Sequence, residues 1–187
     1  MAQTASKMIP LETKAPDFEL PDVISKNLYN LQDIRGKKGT VLMFICNHCP
    51  FVKHVNKEIV RLSNDYKKEG FGFAAIMSND ILNYPQDNPQ QMEEVAREEG
   101  YTFPYLFDQT QEVARKYAAA CTPDFYLFDA DLKLVYRGQL DDSRPGNELP
   151  VDGHDLRNAL DAVLGNKEVS PEQKPSIGCG IKWKENS

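Results

Sequence analysis

The stretch 41-VLMFICNHCPFVK-53 decides the fold. Val41 to Ile45 is an apolar run of large side chains and reads as a buried central strand. It breaks at Cys46-Asn47-His48-Cys49 into a segment with helical spacing. Residues that follow such a strand are presented at its carboxyl end, where open α/β sheets keep their chemistry. Two cysteines separated by two residues can close a disulfide in the first turn of a helix. The amino end of that helix stabilises a thiolate through its free N–H groups and its dipole. On this reading Cys46 is the more exposed and the more acidic of the pair. Phe51, Val52, Val55, Ile59, Val60 and Leu62 then recur at spacings of three and four, which predicts a helix ending near Gly70. Pro50 fits its first turn, where a missing N–H costs little.

Downstream, Phe71 to Met77 reads as the next buried strand, and 78–89 as a loop crowded with Asn, Asp and Pro. A helix over Gln90 to Glu99, a strand over Phe103 to Phe107 and a helix over Gln109 to Ala119 follow. Cys121-Thr122-Pro123 leads into Asp124 to Phe128, a strand that pairs across Asp129-Ala130-Asp131 with Leu132 to Arg137. A polar loop, Asp141 to Pro150, precedes a last helix from about Gly153 to Leu164. Upstream, Ala15 to Asp22 suits an edge strand, with Lys26 to Leu31 as the return half of a hairpin and Gln32 to Gly36 as a helical turn. The expected division is a loosely packed extension over 1–14, one domain over 15–165, and a tail over 166–187 that packs on the domain through the ring of Trp183.

At 187 residues, 41% hydrophobic and 27% charged, the chain can bury a core without disulfide staples. A net charge of −6, with no run of Lys or Arg beyond pairs, argues against nonspecific nucleic-acid binding. No apolar stretch of signal-peptide or membrane-span length occurs, so the expected compartment is the cytoplasm. In a reducing compartment a closely spaced cysteine pair is catalytic or metal-binding sooner than structural.

Strand, helix, strand, then a two-stranded hairpin and a final helix, with C-x-x-C at the first strand-to-helix junction, resembles the thioredoxin fold: an α/β domain with a central mixed sheet flanked by helices. Here it would carry an N-terminal β-hairpin extension and a C-terminal tail. Ala15-Pro16-Asp17-Phe18 before a hairpin resembles the opening of the alkyl hydroperoxide reductase and thiol-specific antioxidant (redoxin) branch of that superfamily. Thr122-Pro123 before an aromatic strand resembles its cis-proline loop. CNHCPFVKH, DDSRPG and the terminal SIGCGIKW together resemble the peroxiredoxin-like thioredoxin-family proteins, over nearly the whole chain. The resemblance implies Cys46 as attacking thiolate, Cys49 as resolving cysteine, and Thr122 and Pro123 as shapers of the substrate groove. True peroxiredoxins place a proline and a threonine or serine ahead of the peroxidatic cysteine, and Leu42 to Ile45 carries neither.

The leading expectation is a thiol–disulfide oxidoreductase acting on protein disulfides or dithiols and recycled by another dithiol protein. It would need no metal, flavin or nucleotide of its own. His48, between the cysteines, would tune the pair as a nearby cation. Cys121 and Cys179 are possible additional thiols, and Asp141, Asp142 and Arg144 an ordinary turn network. The alternatives are a thiol-dependent peroxidase and a noncatalytic module binding zinc or a partner. A single C-x-x-C supplies only two of the four ligands that zinc takes.

Overall fold

The structure, a computed structural model, describes residues 3–185. Its centre is β4 (Gly39–Phe44), every residue of which is buried. β4 pairs in parallel with β5 (Phe71–Met77), which pairs in parallel with β6 (Tyr105–Phe107). On its other side β4 pairs antiparallel with β8 (Asp124–Asp129), and β8 with β9 (Leu134–Gly138). The result is the expected mixed sheet, in the order β6-β5-β4-β8-β9.

Side chains alternate across a strand, and β4 shows what that does to the core. Val41 and Met43 join Phe73, Phe125 and Leu127 under the helices α2 (Pro50–Lys67), α3 (Pro89–Glu99) and α5 (His154–Leu164), which contribute Ile59, Met92 and Leu160. Leu42 and Phe44 join Ile76, Tyr126 and Phe128 on the opposite face, with Leu31 of α1 (Leu31–Ile34) and Val113 of α4 (Glu112–Lys116). Tyr117 closes that second core. Its ring meets Phe18, Phe44, Tyr126 and Phe128 at centroid separations of 6.3, 5.9, 6.2 and 6.0 Å. Its hydroxyl donates to the Pro16 carbonyl at 2.6 Å, tying down the segment before the hairpin of β2 (Glu19–Pro21) and β3 (Leu28–Asn30).

Several expectations need correction. The helix expected over Gln109 to Ala119 shrinks to α4, because Gln111 and Ala118 on either side of it take left-handed backbone, with φ of 65° and 53°. That conformation costs a non-glycine residue about 1–2 kcal/mol. Asp108 offsets it by accepting from the Ala114 N–H at 2.9 Å, and the Gln111 amide donates to the Ser78 and Lys182 carbonyls at 2.7 and 2.8 Å.

The N-terminal segment is not loose within the described residues. β1 (Gln3–Ala5) pairs antiparallel with β10 (Ile177–Gly180), a strand that the tail's sequence did not announce, and β10 pairs antiparallel with β7 (Cys121–Thr122). The two ends of the chain thereby form a second, three-stranded sheet beside the cysteine motif. Met1 and Ala2 lie outside the described residues. Trp183 is 38% exposed rather than buried, and the Arg115 guanidinium lies 4.5 Å over its ring. Among the described residues no helix is long and apolar enough to cross a membrane.

Candidate active site

β4 delivers the cysteine motif as its length predicts. The ladder runs one residue past the strand, through the Ile45 N–H to the Ile76 carbonyl at 3.1 Å, and Cys46 is the first residue beyond it. The motif does not lie in the first helical turn, however. Pro50 takes the first helical position, which holds the residue before it in extended backbone. Cys49 is therefore the N-cap of α2, with ψ of 121°, and Cys46 sits a loop ahead of it.

All four cysteines are reduced and buried. Cys46 is 2% exposed and Cys49 0%, so the expected contrast in exposure is nearly absent. The Thr122–Pro123 bond is cis, and Thr122 lies against both sulfurs. Its Oγ1 is 3.4 Å from Cys46 Sγ, and its carbonyl oxygen is 3.2 Å from Cys49 Sγ. Thr122 does not line an open groove on its backbone side, where Cys179 of β10 is its register partner. Gly178 makes that approach possible, since a Cβ there would stand 2.0 Å from the Thr122 carbonyl oxygen.

The two cysteines meet different neighbours. Beside Cys46 stands Asp87, fully buried, at the end of a short 3-10 turn in the loop that the sequence left unassigned. Asp87 Oδ1 accepts from the Asn47 N–H at 2.8 Å, and Oδ2 accepts from the Asn79 amide at 2.8 Å. His48 Nδ1 is 2.6 Å from the same Oδ2, and its ring stacks on Tyr84 at 5.5 Å between centroids. His48 Nε2 is buried with no protein partner. The lone tuning cation expected at His48 is thus paired with a buried carboxylate.

Beside Cys49 stands Cys179, its Sγ 2.8 Å away. The outcome is opposite to the expected acidity. Cys46 is pushed well above the usual thiol value by the hydrogen bond it gives Cys49, by burial and by the Asp87 charge. Cys49 is lowered to about 5, mainly by the hydrogen bond from Cys46, with further help from the Cys179 thiol and the Val52 N–H. Two adjacent thiols cannot both ionise readily, and here the anion-stabilising donors face Cys49 while the carboxylate faces Cys46. Burial and the contact with Cys49 push Cys179 up to about 12, and burial raises Cys121 as well. Cys121 lies on β7 beside Gly180, its Sγ 3.8 Å from the Pro123 carbonyl oxygen.

Cys46, His48 and Asp87 hold three donor atoms within 4.8 Å of one another, the donor types a divalent transition ion accepts. Cys49 and Cys179 fit less well, because two thiolates on one tetrahedral zinc with ~2.3 Å bonds stand about 3.7 Å apart. A second carboxylate and imidazole group, Asp142, His154 and Asp155, is partly exposed and distinct from the motif.

The polar loop is the turn network expected. Buried Asp141 accepts from the N–H groups of Ser143, Asp152 and Gly153 at 2.9, 2.9 and 2.7 Å. The Arg144 guanidinium donates to the Asp141 and Ser143 carbonyls, both at 2.7 Å. His54, on the first turns of α2, has its Nε2 2.6 Å from Ser143 Oγ and so joins that loop to the helix. Asp87, Asn79 and Tyr84 are the site residues that the sequence did not single out. Their only signal was the density of Asn and Asp in a loop.

A structure from Geobacillus kaustophilus, of an uncharacterized conserved protein, is 59% identical and superposes with a TM-score of 0.98 over 100% of this chain and 99% of that one. A thiol–disulfide oxidoreductase ResA from Geobacillus thermodenitrificans is 28% identical over 131 residues, 70% of each protein. At 22% identity, a putative thiol:disulfide interchange protein DsbE from Chlorobium tepidum shares the fold, with a TM-score of 0.65 over 84% of this chain and 99% of that one. Residues 11–137, from the strand-bearing N-terminal segment through the cysteine motif and the cis-proline loop to β9, match the AhpC/TSA family, and the chain belongs to that family.

Proposed function

We propose that this protein is a thiol–disulfide oxidoreductase whose working couple is Cys46 and Cys49, with protein disulfides or dithiols as substrates, a second dithiol protein to recycle it and no cofactor of its own. The observation that carries the reading is geometric: Thr122 of the cis-proline loop lies against both motif sulfurs, its Oγ1 3.4 Å from Cys46 Sγ and its carbonyl oxygen 3.2 Å from Cys49 Sγ. In this reading Cys46 is the sulfur a substrate meets first, because Cys179 covers Cys49 in addition to the Thr122 that both sulfurs touch. Passing its proton to Cys49 makes Cys46 the attacking thiolate. Attack on a substrate disulfide forms the Cys46–substrate bond and releases one substrate thiolate. Cys49, once deprotonated, attacks Cys46 Sγ, releases the second substrate thiolate and closes the Cys46–Cys49 disulfide. In the mixed disulfide Cys49 keeps the Val52 N–H and the Cys179 thiol as hydrogen-bond partners, which favour the thiolate that resolves it.

Insulin reduction driven by dithiothreitol tests this reading. Cys46→Ser should abolish catalysis, and Cys49→Ser should accumulate a Cys46-linked mixed disulfide. Undiminished turnover in Cys46→Ser would end the reading.

One observation favours a second reading, peroxide reduction. The Thr122 hydroxyl, 3.4 Å from Cys46 Sγ, is a donor for a peroxide oxygen, supplied by a different element from the one that peroxiredoxins use. Cys46 thiolate would take one peroxide oxygen as sulfenic acid and release an alcohol or water. Cys49 would then condense with it, releasing water and closing the disulfide. Thiol-coupled hydrogen peroxide consumption without insulin reduction would favour this second course.

A further inference from the structure

Cys179 lies outside the residues matched to the family, on the strand that joins the end of the chain to the cis-proline loop. Three features put its sulfur in contact with the working pair. The register Cys179↔Thr122 fixes β10 alongside the loop that touches both motif sulfurs. Gly178 removes the side chain that would hold the two backbones apart. Pairing of β1 on the far side of β10 holds the strand from behind, and the Ser6 N–H donates to the Ser176 carbonyl at 2.9 Å. Cys179 Sγ consequently rests 2.8 Å from Cys49 Sγ, and closing that gap to the ~2.05 Å of a disulfide is a movement of under about 1 Å.

We propose that Cys179 is a third redox sulfur of this site, and that Cys49 alternates between two disulfide partners, Cys46 and Cys179. The step rests on the Cys46–Cys49 couple proposed above and needs no further oxidant. In the oxidised protein, Cys179 attacks Cys49 Sγ, the Cys49–Cys179 bond forms, and the Cys46–Cys49 bond breaks. Cys46 leaves as a thiolate and takes up the proton that Cys179 gave up, so the protein as a whole is neither oxidised nor reduced. The step returns a free thiol to the substrate-facing position and clips the C-terminal strand to the start of α2. Burial raises the Cys179 thiol, which makes this exchange slow at neutral pH and faster in base, because the attacking form is the thiolate. Cys121 takes no part; its sulfur faces the Pro123 and Ser176 carbonyls at 3.8 and 3.9 Å.

The test is disulfide mapping of the full-length chain equilibrated with oxidised glutathione, quenched in acid and alkylated. In Cys46→Ser the proposal expects two of the three remaining thiols to be lost to alkylation, with a peptide pair linking Cys49 to Cys179. Recovery of all three thiols in the folded variant, or a link from Cys49 to Cys121, overturns it. Wild-type protein oxidised with limiting glutathione disulfide supplies a second readout that does not depend on the variant folding. A Cys49–Cys179 peptide pair beside the Cys46–Cys49 pair supports the proposal, and its absence overturns it. Cys179→Ser separates the two readings. If it forms Cys46–Cys49 and reduces insulin while Cys46→Ser shows no Cys49–Cys179 link, the exchange function stands and the third sulfur falls. If Cys179→Ser neither closes that disulfide nor reduces insulin, the exchange function falls, and the Cys46→Ser map still decides the third sulfur by itself.

Discussion

Cys46 and Cys49 are the same residue type three positions apart, both buried, and their surroundings push them in opposite directions. Cys46 faces a buried carboxylate that is itself satisfied by two amide groups and an imidazole. Cys49 sits at a helix start with a backbone N–H and two thiols directed at it. The contrast teaches that the acidity of a C-x-x-C sulfur is set by which donors converge on it, more than by its place in the motif. The helix start favours an anion at either cysteine, but Pro50 shifts that start to Cys49, and Asp87 opposes charge at Cys46.

The sharpest way to break this contrast is to remove one sulfur at a time and titrate what is left. In the reduced protein, Cys49→Ser should abolish the thiolate that titrates near 5, as read by ultraviolet absorbance, while Cys46→Ser, which keeps a hydroxyl donor, should retain a lowered thiolate. The reverse result would return the acidic sulfur to Cys46. Stability follows the same sign. A lowered folded-state pKa at Cys49 stabilises the reduced fold fully above the unfolded thiol's ~8.5 and loses that contribution as pH falls toward about 5. Denaturant unfolding should therefore show wild type and Cys49→Ser converging as pH drops through that window.

Asp87→Asn gives the next largest effect. Without the carboxylate, Cys46 should ionise more readily, raising its alkylation rate at neutral pH by about tenfold for each pKa unit removed. Losing one of the two acceptor oxygens that serve Asn47, Asn79 and His48 should also cost about 1–3 kcal/mol of unfolding free energy. An unchanged alkylation rate would remove Asp87 from the account of Cys46.

The smallest effect belongs to His48→Gln. The amide can still donate to Asp87, but no positive charge can form there, so Cys46 alkylation should slow by only about two- to fivefold. A larger drop would mean that His48 acts on Cys46 directly, free of its carboxylate.

Much of the fold was legible because its signals are local. The apolar run into Cys46, the spacing of Val52, Val55, Ile59 and Leu62, and the aromatic hairpin after Pro123 each bury a face that their own sequence announces. The weaker expectations fell where local pattern and tertiary contact disagree. Residues 109–119 carry a helical pattern, yet Gln111, tied to the Ser78 and Lys182 carbonyls, and Ala118 both take left-handed backbone. Gln3–Ala5 and Ile177–Gly180 show no strand pattern, because each is stabilised by pairing with a segment at the other end of the chain.

By itself the sequence determined that a buried strand carries two cysteines toward a helix, since those features are written in neighbouring residues, while the cis-proline loop was implied only by the family resemblance of Thr122-Pro123. Only the tertiary structure decided which sulfur holds the charge and what stands beside it. Asp87 and Cys179 come from segments 41 and 130 residues from Cys46 and Cys49, and their effect on a thiol depends on a separation of a few ångströms that no spacing along the chain encodes.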